Sequence, residues 1–213
     1  MEMRLEGVMA KAKGLMIAAM EPQATEEEEF NDWYDLEHFP ERQGAPGFLM
    51  AQRWICIQGW PRYLAFYDLD SVDAVHSEAY NAFIGENLSV WSRRVLSRAL
   101  GNYRMEGTLI YPDDAISVSK DEAGYMVLIR FVGAGANGAC DIIDGLRRQF
   151  ESRPEVRQLR VFRDDENAGR EFLGVLELAA PLGSLTVDMG QMGPDCGTIR
   201  MMNLYTPYLR RRV

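Results

Sequence analysis

Histidine is nearly absent from this chain of 213 residues: there are two, His38 and His76. Basic charge is also short, with 23 Lys and Arg against 32 Asp and Glu, a formal net charge of -9 and a pI near 4.8. A phosphate backbone is held by a basic face, so this balance argues against a nucleic-acid partner. The run Arg210-Arg211-Arg212 stands at the chain end, where a solvated tail is the ordinary explanation. Cysteine is sparse. Cys56, Cys140 and Cys196 are odd in number and widely spaced, with no Cys-x-x-Cys pair. That excludes a disulfide framework or zinc knuckle and reads as small buried hydrophobes in a reducing cytoplasm. No long hydrophobic run occurs either. Residues 14–20 are apolar but close at Glu21-Pro22, too short to span a membrane and a poor signal peptide. With 47% hydrophobic and 26% charged residues, the chain is expected to be a soluble globular protein of one domain or two small ones.

Against this background one stretch stands out, Glu27-Glu28-Glu29-Phe30-Asn31-Asp32-Trp33-Tyr34-Asp35-Leu36-Glu37-His38-Phe39-Pro40, followed by Gly44-Ala45-Pro46-Gly47-Phe48. Thr25 and Glu28 form a capping-box pattern, and carboxylates are favoured in a first helical turn, so the acidic run is explained without function. Phe30, Trp33, Tyr34 and Glu37 fall at i, i+3, i+4 and i+7 and share one helix face. Imidazole is the side chain best suited to move protons near neutral pH. His38 is therefore the candidate general acid/base, with Tyr34 as proton donor or orienting hydroxyl and Glu37 or Asp35 as partner. A helix-end histidine favoured by the dipole is the structural alternative.

Periodicity and turn residues order the rest. Residues 14–20 predict a strand, 25 onward a helix, 48–57 and 63–69 two strands joined at Gly59-Trp60-Pro61, 71–80 a helix capped from Asp70 or Ser71, 86–100 a second helical stretch, and about 103–111 a strand. A polar segment follows. The order then recurs: strand 125–132, helix 137–151, strands 156–163 and 171–178, a short helix 184–189 and a strand 198–205. The period of roughly 110 residues predicts an α+β fold of two tandem ferredoxin-like units, βαββαβ twice, at 1–112 and 124–213 with a linker at 113–123. Their open sheet faces would pack together as a single-chain α/β barrel, burying both faces of strands 14–20 and 125–132. Exposed sheet edges would make a homodimer reasonable.

Gly133-Ala134-Gly135-Ala136-Asn137-Gly138 meets the letter of a dinucleotide fingerprint, but too little chain follows for a doubly wound domain, and it reads as a turn. His76, near Ser77 and Glu78, gives with His38 too few ligands for a metal site.

The pattern Glu-Glu-Phe-Asn-x-Trp-Tyr-x-x-Glu-His-x-Pro, then Pro-Gly-Phe, Arg53-Trp54, Tyr63-Leu64-Ala65-x-Tyr67 and Ser77-x-Ala79-Tyr80, resembles the EthD-like branch of the dimeric α/β-barrel superfamily over residues 14–111. The resemblance implies relatives among cofactor-free cyclases and decarboxylases, muconolactone-type isomerases, in which a similar His-Phe supplies a cleft histidine, and haem-dependent enzymes. The second unit carries no histidine and no Trp-Tyr pair, which leaves the N-terminal cleft as the active one. The expectation is a cytoplasmic, cofactor-independent lyase or isomerase acting on a small aromatic or enolisable carbonyl or lactone compound. Trp33, Phe39, Met50, Trp54, Tyr63, Tyr80 and Phe83 would contact that substrate, though core packing is their ordinary role. A haem held by a histidine and a non-catalytic aromatic-binding protein are the alternatives.

Overall fold

In a computed structural model describing residues 11–167 and 169–210, the short apolar runs form eight strands. They are β1 (Gly14–Glu21), β2 (Phe48–Gln58), β3 (Tyr63–Leu69), β4 (Leu100–Tyr111), β5 (Tyr125–Val132), β6 (Val156–Asp164), β7 (Glu171–Leu178) and β8 (Thr198–Pro207). All pair antiparallel in one closed barrel ordered β1-β3-β2-β8-β5-β7-β6-β4. Each of these strands is bonded on both sides, so among the described residues the sheet has no open edge of the kind expected to recruit a second copy.

Strand alternation sorts the core into three layers. Leu15, Ile17 and Ala19 of β1 turn into the barrel with Phe66, Met105, Leu128 and Tyr205, whereas Met16 and Met20 turn outward onto Phe30, Trp33, Tyr67 and Tyr80. On the far side Val127, Ile129 and Phe131 pack against Ile142, Leu146 and Phe150. β1 and β5 are thus buried on both faces, as their unbroken apolar character requires.

One charged group is sealed inside. Arg160, fully buried, donates from Nη1 to Asp68 at 2.5 Å and lies 3.2 Å through Nε from Glu177. The segment after β4 is fastened to the same carboxylates: Ser117 N–H donates to Asp68 at 2.9 Å and Val118 N–H to Glu177 at 3.0 Å. What reads in sequence as a plain linker therefore closes the cluster.

The helices differ most from expectation. The Thr25–Glu28 capping box does not form. Helix α1 (Glu27–Trp33) follows a 3₁₀ turn, Ala24–Glu26, without a side-chain cap, and its acidic residues pair across the surface instead: Glu26 with Arg98, Glu27 with Arg62, Glu29 with Arg94. After α2 (Phe39–Gln43), residues 71–80 divide into a 3₁₀ turn, Val72–His76, and α3 (Glu78–Asn81), because Ser77 is extended and its hydroxyl caps Tyr80 N–H at 3.2 Å. The stretch 86–100 keeps α4 (Val90–Leu96), started by Ser89, after the end of a 3₁₀ turn, Gly85–Asn87, and Leu100 already belongs to β4. After α5 (Gly138–Leu146), no helix forms at 184–189; a 3₁₀ turn, Met189–Gln191, follows the helix-poor Pro-Leu-Gly-Ser-Leu-Thr-Val. In the glycine-rich loop Asp195 accepts from Asn137 N–H at 2.9 Å, so the chain's own carboxylate fills the place a phosphate would take. Cys196 is buried and Cys56 half-buried, but Cys140 is exposed, against expectation. Arg210 pairs with Asp32, while Arg211 and Arg212 lie outside the described residues. Among the described residues no helix is long and apolar enough to cross a membrane.

Candidate active site

Pro40 shapes the local backbone around His38. It has no N–H to return to Leu36, and the helix ladder widens: α1 runs into a π-helical turn, Tyr34–His38, in which Phe39 N–H donates to Tyr34 O, before α2 resumes. His38 ends 5% exposed, turned towards the sheet.

There it borders a cavity of about 330 Å³ between these helices and the outer face of β1, β3 and β4. Tyr34, His38, Arg42, Tyr67, Tyr80 and Arg104 supply its polar wall, and Met16, Met20, Ile84, Leu88 and Leu96 much of the apolar remainder. That volume lies at the small end of the roughly 300–1,000 Å³ common for ligand pockets and suits a compound of one to three rings.

The imidazole is held by aromatic rings. Trp33 lies 4.0 Å from it between centroids, and Tyr34 meets it edge-on at 5.2 Å. Trp33 Nε1–H donates to Ser92 Oγ at 2.9 Å, Ser92 Oγ–H to Glu37 at 3.0 Å, and Ser89 Oγ–H to the same Glu37 oxygen. Nδ1 of His38 is buried with no hydrogen-bond partner among the described residues. Burial first, then the charges of Arg42, Arg53 and Arg104, hold the imidazole pKa well below its ordinary value, so the ring is neutral at neutral pH. Burial pushes the Tyr34 phenol up to about 12 and Tyr67 well above its usual range. Both phenols remain protonated, and the Tyr67 hydroxyl is likewise buried without a partner. Behind Tyr34, the Arg53 guanidinium lies 4.4 Å from the ring and 4.1 Å from that of Tyr208, bonded to Asp35 and Asn31.

Of the residues expected from sequence, His38, Tyr34 and Tyr80 line the cavity. Trp33 backs His38, Phe39 packs on Tyr67 at 5.7 Å and Phe83 on Tyr80 at 5.2 Å. Asp35 is turned to Arg53 and Arg210, and Glu37 to the two serines, so neither carboxylate reaches the cavity. Trp54 is inside the barrel, and alternation puts Met50 on the same strand face. Tyr63 bonds Glu27 and Asn31 away from the cavity. Sequence reasoning missed Arg42, Tyr67 and Arg104. Arg42 stands four residues after His38, and Tyr67 shares a sheet face with Tyr63 and Ala65, so helix and strand spacing carried those two. His76 is exposed and 3.4 Å from Glu106, and among the described residues no group of three or more His, Cys, Asp or Glu could hold a metal.

No family model matches the sequence, and no curated protein matches it. Solved structures do. A protein described as anthrone oxidase-like aligns with a TM-score of 0.58 at 12% identity, over 93% of this chain and 92% of its own. One provisionally assigned as a chlorite dismutase gives 0.61 at 8%, over 93% and 95%. A heme-binding protein from Thermus thermophilus gives 0.56 at 11%, over 92% and 91%. At such identities the likeness is one of architecture: the chain has the dimeric α/β-barrel fold, with all eight strands drawn from one polypeptide.

Proposed function

We propose that the chain is a cofactor-independent enzyme, a lyase or isomerase, in which His38 takes a proton from a small aromatic or enolisable carbonyl compound. The observation that carries this reading is the neutral, buried imidazole of His38 on the wall of an apolar cavity that also presents phenol and guanidinium groups. A neutral imidazole accepts a proton through its unprotonated nitrogen. Tyr34, Tyr80, Arg42 and Arg104 offer hydrogen-bond donors to the negative charge left on the substrate oxygen. Because its cationic form is disfavoured by burial, His38 then returns the proton: to another carbon in an isomerisation, or, where the proton was taken from the carboxyl group of a β-keto acid, to the carbon that has lost carbon dioxide. The anthrone oxidase-like neighbour supports the substrate type, since an anthrone is an enolisable aryl ketone.

The arrangement of the chain as two ferredoxin-like units, 1–112 with the cavity and 124–213 without histidine, joined by 113–123, belongs to the same reading. Its support is the recurring strand order, β4-β1-β3-β2 and β8-β5-β7-β6, and a π-helical turn after the first helix of each half, Tyr34–His38 and Arg147–Glu151. The second half has no helix between β7 and β8 beyond the 3₁₀ turn.

The heme-binding neighbour raises a haem as an alternative occupant. The residues here do not suit one. An axial histidine is braced through its second nitrogen, and His38 Nδ1 has no acceptor among the described residues. Trp33 covers the ring, the cavity is small for a porphyrin, and His76 lies outside it. The test is to incubate the protein with aryl ketones, aromatic β-keto acids and unsaturated lactones and to follow them by mass spectrometry and proton NMR. Conversion of one of these by the wild type and not by His38→Gln supports an enzyme. Binding without change over long incubation makes the chain a ligand-binding protein instead.

A further inference from the structure

Three arginines of the described chain are buried: Arg42, Arg53 and Arg160. A buried guanidinium requires a compensating anion, because an unpaired charge out of water is strongly unfavourable. Arg53 has Asp35, and Arg160 has Asp68 and Glu177. Arg42, 4% exposed, has only a longer contact to its sequence neighbour Glu41. Its Nη1 donates to His38 O at 3.1 Å and reaches the neighbouring Glu41 at 3.4 Å, while its guanidinium lies 5.3 Å from the Phe83 ring and 5.8 Å from Tyr80. Glu41 itself is pushed towards its neutral form by burial.

The surroundings point the same way. Arg42 borders the His38 cavity, whose lining includes a second arginine, Arg104, and no Asp or Glu. Arg104 is already matched by Glu106 and donates to Tyr80 OH at 3.2 Å. A chain of net charge -9 has thus built a cavity wall of positive sign, with its least compensated charge at Arg42. The guanidinium fork fits a planar carboxylate through two parallel N–H bonds.

We infer that the cavity takes its ligand as an anion, a carboxylate carried on an aromatic or enolisable skeleton, and that Arg42 receives the carboxylate. This rests on the reading of the cavity as the substrate site and adds the charge of the substrate to it. Received at Arg42, four residues after His38 on the same helix, the carboxylate would orient the ring system against the imidazole.

Binding of 2-naphthoate and of its neutral isostere 2-naphthamide to the full chain, measured by calorimetry or tryptophan fluorescence, tests this without any turnover assay. The wild type should prefer the acid by about tenfold or more, as charge-assisted hydrogen bonds allow. Arg42→Gln should bring the two affinities to within about twofold, and Arg42→Lys should keep part of the preference. Equal binding of acid and amide by the wild type overturns the anion inference and leaves the cavity as a ligand site. A preference unchanged in folded Arg42→Gln or Arg42→Lys overturns the role of Arg42. Failure of both compounds to bind overturns the cavity reading as well. The wild-type comparison stands if Arg42→Gln does not fold, with Arg42→Lys deciding the residue.

Discussion

Trp33 covers one face of the His38 imidazole at 4.0 Å between centroids, and its indole N–H is tied through Ser92 to Glu37. Glu37 thus supports the imidazole at one remove, by fixing the ring against which it rests. Two serine hydroxyls, a capped α4 and a tryptophan depend on that carboxylate.

Glu37→Ala should therefore act on stability. Losing the acceptor for Ser89 and Ser92 should cost about 1–3 kcal/mol, read as a lower urea midpoint at unchanged slope. Any fall in turnover should be smaller than in His38→Gln. A variant of full stability and no activity would make Glu37 a direct participant in the reaction.

The imidazole of His38 should remain neutral well below pH 6.5, because burial and three arginines disfavour the cation. The unfolded chain takes up that proton near pH 6.5. In the window below, the unfolded state binds more protons than the folded one, so stability falls as pH drops, and His38→Gln should remove that part of the loss. Carbon-detected NMR of the two histidine rings, assigned with His76→Gln, checks the premise: a His38 signal that titrates near pH 6.5 or above contradicts it.

Arg160→Met should be among the most damaging single changes. It leaves Asp68 and Glu177 facing each other in the barrel without their cation, which typically costs about 3–5 kcal/mol when one member of a buried set is removed. Equilibrium unfolding in urea measures this, and a loss below about 1 kcal/mol would mean that water already reaches the cluster.

Added haemin should give no Soret band that follows the protein through gel filtration and disappears in His38→Ala. A stoichiometric, His38-dependent band would restore the haem alternative.

Much of this fold can be read along the chain, because a strand buried on both faces leaves an unbroken apolar run. Residues 14–20 and 125–132 carry that signature, and they became β1 and β5. The short helices were less legible: Ser77 restarts a helix and Pro40 widens one through single backbone bonds that periodicity does not register. Within the site, His38 was conspicuous through scarcity. Trp54 is an aromatic next to Arg53, but alternation sends those neighbours to opposite faces, one into the barrel and one towards the helices. Helix spacing reaches Arg42 but not its charge balance. Its only carboxylate partner among the described residues is the neighbouring Glu41 at 3.4 Å, and so weak a compensation becomes visible only when every neighbour is in place.

The measurement closest to the central claim is exchange of substrate carbon-bound protons in deuterium oxide, followed by NMR for a panel of aryl ketones and aromatic β-keto acids, since it reads proton abstraction alone. The account predicts exchange at an enolisable position of at least one compound, faster with protein than in buffer and lowered by about 10² to 10⁴ in a folded His38→Gln variant. Exchange at the wild-type rate in that variant would contradict it.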